Sequence, residues 1–246
     1  MALSTPALGE PRVPSSILDL VGDPGRVKTR SIDRVAYASD ASHYLYTPQA
    51  VILAKDAAEV AALLRASAAN NQPVTLRSGG TSLAGQASGD GLMIDVRRNF
   101  RDIQVLDDGA RVRVQPGATV RQVNARLAVY GSKLGPDPAS EAACTIGGVI
   151  ANNSSGMACG TEFNTYRTLE SMTFVLPSGT MINTADPDAD RQLAAAEPEL
   201  VATLDRLVKR VRTNPASVAK IQKHFALKTP WATASTPFWT MTPRRI

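Results

Sequence analysis

The sequence predicts an α+β fold made of two small subdomains, and three observations lead to this prediction. An apolar segment, an amphipathic segment and a second apolar segment follow one another over residues 49–76, as in a βαβ unit. Short β-prone segments joined by turn residues begin near residue 100, which is typical of hairpins. Amphipathic segments further along predict helices that pack on these strands. We therefore expect a first subdomain over residues 30–98 and a second over residues 99–228.

Residues 49–76 carry the βαβ pattern in detail. The apolar stretch QAVILA (49–54) predicts a buried strand, and Asp56 is the predicted N-cap of the following helix. Apolar residues recur at helical spacing in DAAEVAALLRASAANN. The chain then returns as the strand segment QPVTL (72–76), so we expect a right-handed crossover. The strand segment LMIDV (92–96) closes the first subdomain.

The second subdomain is predicted from two hairpins and two helices. DDGARVRV places Asp108-Gly109 between alternating segments, and TFVLPSGTMIN repeats that arrangement around residues 177–179. TVRQVNARLAVYG (119–131) predicts an amphipathic helix that ends at Gly131 as its C-cap. EPELVATLDRLVKRVRTN (197–214) predicts another amphipathic helix.

Bulk composition places the chain among ordinary globular proteins. Its 246 residues are 43% hydrophobic and 20% charged, and no apolar run reaches the length of a membrane span. The first residues, MALSTPALGEPRVPSS, lack the basic start and the continuous apolar stretch of a signal peptide. We therefore expect residues 1–29 to form a mobile leader and the protein to reside in the cytoplasm.

Cysteine content and charge exclude some functions and leave others open. Cys144 and Cys159 are too few for a disulfide framework and lack metal-ligand spacing, so we expect two reduced thiols and no metal site. The net charge is +5, but basic residues are dispersed except for KRVR at 209–212, and aromatic residues make up 5% of the chain. Two interpretations stay open: a protein that binds nucleic acid or another large anion, and a positive cleft for an anionic small molecule.

The stretch RSGGTSLAGQ (77–86) follows the second predicted strand and is rich in glycine, serine and threonine. By itself it is typical of a surface turn. The alternative is a phosphate cradle, because glycine allows a ligand close to the backbone and consecutive amides can bind phosphate oxygens. The stretch matches neither GxxxxGK[ST] nor GxGxxG.

A second candidate segment, GPDPASEAACTIGGVIANNSSGMACGTEFNTYR, spans residues 135–167. It could form a long loop. Its part TIGGVIANN, however, is too apolar for a solvated loop and too rich in glycine for a stable helix. The segment fits a backbone that packs against a flat ligand.

Taken in order, these motifs resemble a known family. VTLRSGGTSLAGQA…GLMIDV, VQPGATVRQVNARL and GPDPAS…TIGGVIANNSSG are similar to the FAD-binding (PCMH-type) domain of the vanillyl-alcohol oxidase superfamily. Within it they resemble the branch of D-lactate dehydrogenases, glycolate oxidase flavin subunits and D-2-hydroxyglutarate dehydrogenases. The upstream YASDASHYLYTPQAVILAKDAAEVAALL is similar to large bacterial members that fuse the flavin domain to an iron–sulfur domain. The resemblance covers residues 30–228.

The resemblance implies a set of residues that bind FAD. The amides of residues 78–81 and the Ser82 hydroxyl would hold the pyrophosphate, and the residues between 138 and 148 would line the isoalloxazine and the ribityl chain. Residues 152–155 would follow along the cofactor, and Ile182 would lie near the adenine. The implied residues are Arg77, Ser78, Gly79, Gly80, Thr81, Ser82, Pro138, Ser140, Thr145, Gly147, Gly148, Asn152, Ser154, Ser155 and Ile182.

The resemblance also bears on how FAD is held and on catalysis. Some relatives carry a histidine in the pyrophosphate loop that is linked to the flavin C8-methyl, and Thr81 occupies that place here. We therefore expect non-covalent FAD, with Cys144 as the residue that would challenge this expectation. His43 and His224 are expected to be surface histidines. No catalytic residue is expected in this chain, because the family's substrate-binding arginine and histidine base belong to a later cap domain.

The function implied by the resemblance is oxidation of a D-2-hydroxy acid of the D-lactate, glycolate or D-2-hydroxyglutarate class, with hydride transfer from the substrate to flavin N5. An iron–sulfur module, a quinone or a cytochrome would accept the electrons, and the intact enzyme could associate peripherally with a membrane. A non-catalytic flavin-binding module and an anion-binding or nucleic-acid-binding protein remain alternatives.

Residues 229–246, TPWATASTPFWTMTPRRI, depart from the family pattern. One base inserted after the codon of Lys228 allows the string KNTMGYGINAFLDYD, which is similar to the family's continuation. We therefore expect that a single-base deletion produced an out-of-frame tail and a C-terminally truncated copy of an FAD/iron–sulfur fusion enzyme. The alternative is a genuine tail specific to this lineage, and resequencing of the locus distinguishes the two.

Overall fold

The structure is a computed structural model that describes residues 9–160 and 162–225. The predicted tail at 229–246 therefore lies outside the described residues. The strands are β1 (Val27–Lys28), β2 (Ala50–Leu53), β3 (Val74–Arg77), β4 (Leu92–Asp95), β5 (Ile103–Leu106), β6 (Arg111–Val114), β7 (Thr173–Val175) and β8 (Met181–Asn183). The helices are α1 (Ser15–Leu18), α2 (Ser31–Val35), α3 (Ala57–Ala69), α4 (Val120–Leu127), α5 (Ile146–Ala151), α6 (Thr165–Thr168), α7 (Ala189–Ala196), α8 (Pro198–Arg212) and α9 (Pro215–Phe225). Strands and helices together confirm the α+β class. In the described part of the chain, no helix is long and apolar enough to cross a membrane.

The first sheet has the order β1-β2-β4-β3. Strand β1 is antiparallel to β2, whereas β2 and β3 both run parallel to β4. The strand–helix–strand unit β2-α3-β3 therefore forms as predicted, but β4 lies between its two strands. Because β3 and β4 are parallel neighbours, the chain must run from the carboxyl end of β3 back to the amino end of β4. The glycine-rich stretch makes this return.

The core of this sheet lies under α3. Strands β2 and β4 are buried along their whole length, as expected of strands covered on both faces. Asp56 caps α3 as predicted, since its carboxylate accepts a hydrogen bond from the Glu59 amide at 2.8 Å. The apolar side chains of α3 pack against the same face of the sheet as Ile52 and Ile94.

The predicted mobile leader spans residues 1–29, and the structure differs from this prediction over the described residues 9–29. Val13, Ile17 and Val21 are buried in the core beside α3, and β1 pairs with β2. These three residues are spaced by four positions, which is helical spacing, but the prolines and small residues around them mask the pattern in the sequence. Residues 13–28 therefore pack with the first sheet and α3.

The two predicted hairpins form within residues 99–228, the range predicted as the second subdomain. Strands β5 and β6 pair antiparallel, with Leu106 opposite Arg111, and β7 pairs with β8. Asp107, Asp108 and Gly109 all have positive φ in the first turn, which explains the Asp-Asp-Gly sequence there.

Helix α4 lies between the first hairpin and the second glycine-rich segment, and helix α5 lies within that segment. Thr119 and Gln122 form a capping box at the start of α4, and Gly131 ends the following 3₁₀ turn in the left-handed conformation. Residues 146–151, judged too glycine-rich for a helix, form α5, a short helix whose Val149 is buried. The predicted helix at 197–214 is α8, and none of its side chains is fully buried.

Candidate flavin site

The loop at residues 78–82 begins where β3 ends, at the carboxyl edge of the parallel strands. Ligands of open α/β sheets bind at this edge. Gly80 has a φ of +67°, which favours glycine. Gly79 needs to be glycine for a different reason: a Cβ there would lie 2.7 Å from the Ala143 carbonyl oxygen. The loop therefore contacts the second glycine-rich segment at backbone distance.

Thr145 joins these two segments, which are far apart in sequence. Its Oγ1 atom lies 2.5 Å from the Ser78 hydroxyl and accepts a hydrogen bond from the Gly79 amide at 3.0 Å. Ser78 also donates to the Pro116 carbonyl at 3.1 Å. Thr145 is 1% exposed and precedes α5, but its side chain does not cap that helix. Its hydroxyl is committed to the loop instead.

The loop leaves backbone donors free. Within the described residues, the amides of Gly80, Thr81 and Ser82 have no hydrogen-bond acceptor. The Ser82 hydroxyl donates to Gln86 Oε1 at 3.0 Å and accepts from the Ala84 amide. Consecutive free amides are suited to phosphate oxygens. The Gly79 amide, predicted to bind pyrophosphate, instead binds Thr145 in this structure.

Arg77 lies beneath the loop and braces it. Its guanidinium donates to the Ser39 carbonyl at 2.8 Å and to the Ala87 carbonyl at 2.9 Å. A Cβ on Gly80 would lie 2.5 Å from Arg77 Nη2, so the guanidinium packs against the glycine backbone. Burial lowers the pKa of Arg77, although Asp40 acts in the opposite direction. In this structure Arg77 supports the loop from within.

The segment around Asp40 forms a rim beside the loop. The Ala41 amide donates to the Gly80 carbonyl at 3.0 Å. Asp40 accepts hydrogen bonds from the amides of Ser42 and Ala87. Burial alone would raise the pKa of Asp40, but these bonds outweigh it and the pKa is lowered. Exposed His43 therefore lies only two residues from a contact with the loop, which sequence position does not reveal.

The second glycine-rich segment forms the opposite wall. The Gly147 amide donates to the Pro116 carbonyl at 2.9 Å, and a Cβ on Gly147 would lie 2.8 Å from the Pro116 side chain. Gly148 differs, because nothing lies within 4 Å of a Cβ placed there. Its amide also has no acceptor in the described part of the chain. Gly148 therefore presents open backbone beside a wall that Gly147 holds in place.

The remaining predicted site residues are placed as follows. Pro138, Asn152, Ser154 and Ser155 are half-buried, and Ser140 is exposed. The carbonyl of Ser154 accepts from Thr165, and the carbonyl of Ser155 accepts from the Asp137 amide at 2.7 Å. The hydroxyl groups of both serines, in contrast, have no hydrogen-bond partner among the described residues.

Sequence reasoning missed Asn153 in this segment. Its φ is +44°, it is 7% exposed, and its side-chain oxygen accepts from the Tyr166 amide at 2.9 Å. Its left-handed backbone turns the chain at the end of α5 and thereby orients the residues on either side of it. Asparagine's tolerance of the left-handed conformation is the signal that points to this role.

Ile182 differs from the other predicted site residues because it is buried in β8, at 3% exposure. Its hairpin packs on α3, where Arg65 donates to the Ser178 carbonyl and Gly179 approaches the Ala61 carbonyl. A contact with adenine stays a prediction for this residue.

Both cysteines of the chain lie in the described residues, in or beside the second glycine-rich segment. Cys144 and Cys159 are free and buried, and burial raises the pKa of the Cys144 thiol. A buried thiol with a raised pKa is a poor nucleophile. No cluster of three or more metal-ligating side chains occurs among the described residues.

The donor set fits FAD. Free amides on the loop suit a pyrophosphate, and the open backbone at Gly148 suits a flat ring. None of the fifteen predicted residues carries a carboxylate that would repel phosphate. Thr145 links the two walls of the cradle by its bonds to Ser78 and Gly79.

Comparison with known proteins agrees with this geometry. The chain matches the FAD binding domain family over residues 48–185. It is 29% identical over 199 residues to D-2-hydroxyglutarate dehydrogenase of Pseudomonas putida, covering 79% of this chain and 20% of that protein. It is 33% identical over 120 residues to glycolate oxidase subunit GlcD of Escherichia coli, covering 48% and 24%. The chain thus spans about a fifth of the first of these relatives and about a quarter of the second.

Solved structures share the fold. Alkyldihydroxyacetonephosphate synthase aligns with a TM-score of 0.63 at 19% identity, covering 74% of this chain and 36% of that one. 6-Hydroxy-D-nicotine oxidase from Arthrobacter nicotinovorans aligns with a TM-score of 0.57 at 21% identity, covering 64% and 35%. The match to the FAD binding domain family covers more than half of the 246 residues, and its range contains both walls of the cradle. This chain belongs to the FAD binding domain family.

Proposed function

We propose that this chain is the cofactor-binding part of a flavin-dependent oxidoreductase that oxidises a D-2-hydroxy acid. The observation that carries the proposal is the Thr145 link between the loop at 78–82 and the segment at 135–167, because it builds one cradle from two distant parts of a family domain. Relatives named for D-2-hydroxyglutarate, glycolate and D-lactate support this substrate class.

In this proposal the chain's residues bind and orient the cofactor. The amides of Gly80, Thr81 and Ser82 neutralise pyrophosphate oxygens by hydrogen bonding, and Gly148 allows a ring to approach the backbone. FAD supplies hydride acceptance at N5 when bound. The hydroxyls of Ser154 and Ser155 are free to donate to or accept from the cofactor. Substrate-binding and acid–base groups are assigned to other parts of the protein, as is the electron acceptor.

The first test is FAD uptake by the purified chain. We expect a yellow protein, or a colourless one that takes up added FAD with a flavin absorbance band and quenched fluorescence. FAD binding without dye reduction by D-lactate, glycolate or D-2-hydroxyglutarate is the result expected of a cofactor module. Reduction by one of the three acids would place substrate-binding residues in this chain. A folded protein that takes up no FAD would contradict the proposal.

We further propose that the FAD is non-covalent. Thr81 occupies the place of a linking residue, and the Cys144 thiol is buried with a raised pKa. We expect acid precipitation of the FAD-loaded protein to release all the flavin into the supernatant. A yellow pellet would contradict this, and loss of that colour in His43→Ala would identify the exposed histidine beside the loop as the attachment site.

A further inference from the structure

Two arginines follow β4 at the same edge of the sheet as the flavin loop. Arg97 and Arg98 are exposed, and neither side chain has an ion pair or a hydrogen bond among the described residues. Their positions are nevertheless well defined. Asp95 Oδ1 accepts from the amides of both, at 2.7 and 3.2 Å. The other oxygen of Asp95 accepts from the Tyr37 hydroxyl at 2.6 Å.

The turn that carries these arginines is held by Asp95 at its start and by contacts of Phe100 at its end. Phe100 is buried, and its carbonyl accepts from the Gly117 amide at 2.7 Å. A Cβ on Gly117 would lie 2.5 to 2.6 Å from the carbonyl oxygens of Val96, Arg97 and Phe100. The backbone of residues 96–100 is therefore packed on Gly117, and the Arg97 and Arg98 side chains extend from it into solvent.

Strand register places Arg97 beside the flavin loop. Arg77 pairs with Asp95 across the parallel strands, so the residues that follow each strand leave the sheet side by side. Neighbouring strands are about 5 Å apart, which brings the start of the 78–82 loop next to residues 96 and 97. The positive charge of Arg97 also helps to lower the pKa of Arg77, after burial, and Arg77 packs against Gly80.

Arg98 differs from Arg97 in what surrounds it. It lines a separate cavity of about 280 Å³ together with Arg26, Lys28 and Asn99, near the end of β2. Arg97 is not among the residues that line this cavity. Because the amides of the loop carry no formal charge and Arg77 is already bonded to two carbonyls, Arg97 is the guanidinium placed to pair with an anion on the loop.

We propose that Arg97 is a cofactor-binding residue that pairs with the pyrophosphate of FAD over the loop at 78–82. The inference rests on the proposed function, since it assumes that FAD binds there. The loop amides position the phosphate oxygens, and the guanidinium supplies the positive charge that the amides lack.

The test is FAD titration of the full apo chain, with Arg97→Gln as the variant and Arg98→Gln as its matched control. Both variants remove one charge from the same turn and leave its backbone bonds in place. We expect R97Q to raise the FAD dissociation constant about tenfold, as for loss of one charge-assisted hydrogen bond. R98Q should bind FAD as the parent chain does. Rising NaCl should weaken FAD binding by the parent more than by R97Q, because salt screens an exposed pair.

Riboflavin has no phosphate, so its binding distinguishes loss of the phosphate contact from a general loss of flavin binding. R97Q should bind riboflavin as tightly as the parent chain. Equal FAD affinity of R97Q and R98Q would overturn this inference alone, as would an equal loss of riboflavin and FAD binding by R97Q. A melting temperature of apo R97Q below that of R98Q would also overturn it, because it would show a structural role. A parent chain that binds no FAD would overturn the proposed function and this inference together.

Discussion

Replacing Thr145 with valine is expected to weaken FAD binding about a hundredfold, because the Gly79 amide would lose its acceptor and the Ser78 hydroxyl would lose its bond to Thr145. Valine keeps the shape of threonine but removes Oγ1, which lies 2.5 Å from the Ser78 hydroxyl and 3.0 Å from the Gly79 amide. The Gly79 amide has no other acceptor in the described part of the chain. The loop would then be free to move away from the wall that contains Gly148. FAD titration of the apo variant measures the change.

Thr145→Ser is the matched control for this prediction. Serine retains the hydroxyl and removes one methyl group, so FAD affinity should stay within a fewfold of the parent value. Should valine and serine variants bind FAD equally well, the hydroxyl link would not organise the cradle. Thermal unfolding of both apo variants shows whether the loss lies in the loop or in the whole domain.

Replacing Arg26 with alanine is expected to lower the free energy of unfolding by about 3 kcal/mol, because it leaves a buried carboxylate unpaired. The guanidinium donates to both Glu59 oxygens, at 2.6 and 2.8 Å, and the Glu59 side chain is 4% exposed. Arg26 also donates to the carbonyls of Leu53 and Val21. One side chain thus links the N-terminal segment, β2 and the start of α3. Urea unfolding monitored by circular dichroism measures the loss.

Arg30→Ala provides the comparison, because Arg30 pairs with Asp33 on the surface, with 76% of its own side chain exposed. Exposed pairs contribute little, so its unfolding midpoint should match that of the parent. An Arg26 variant as stable as the Arg30 variant would show that the bonds from Arg26 to Glu59 and to the two carbonyls do not stabilise the fold.

Local chemistry explains which elements the sequence predicts correctly. Asp56 caps α3 with its own side chain, and Thr119 caps α4 together with Gln122, three residues further on. The turn at Asp108-Gly109 forms because those residues adopt positive φ readily. In each case the decisive contacts lie within a few residues.

The elements that the sequence does not predict correctly depend on contacts between distant parts of the chain. Residues 13–28 lack a continuous apolar run, yet they become ordered because Val13, Ile17 and Val21 cover one face of the sheet beside α3. Residues 146–151 contain two adjacent glycines, yet they form α5 because the amides that begin it bond to Ala118 and Pro116. Burial and long-range hydrogen bonds outweigh low helix propensity in such places.

The sequence by itself determined the α+β class, strands β2 to β8 and helices α3, α4 and α8, because caps, turns and hydrophobic periodicity act over short distances. The resemblance of its two glycine-rich segments to a known family indicated an FAD domain. Only the tertiary structure decided how those segments meet. The bond between Ser78 and Thr145 spans 67 residues, β4 lies between β2 and β3, and Arg97 is placed next to the loop by strand register. Such contacts depend on which surfaces pack together, and no short stretch of sequence encodes that alone.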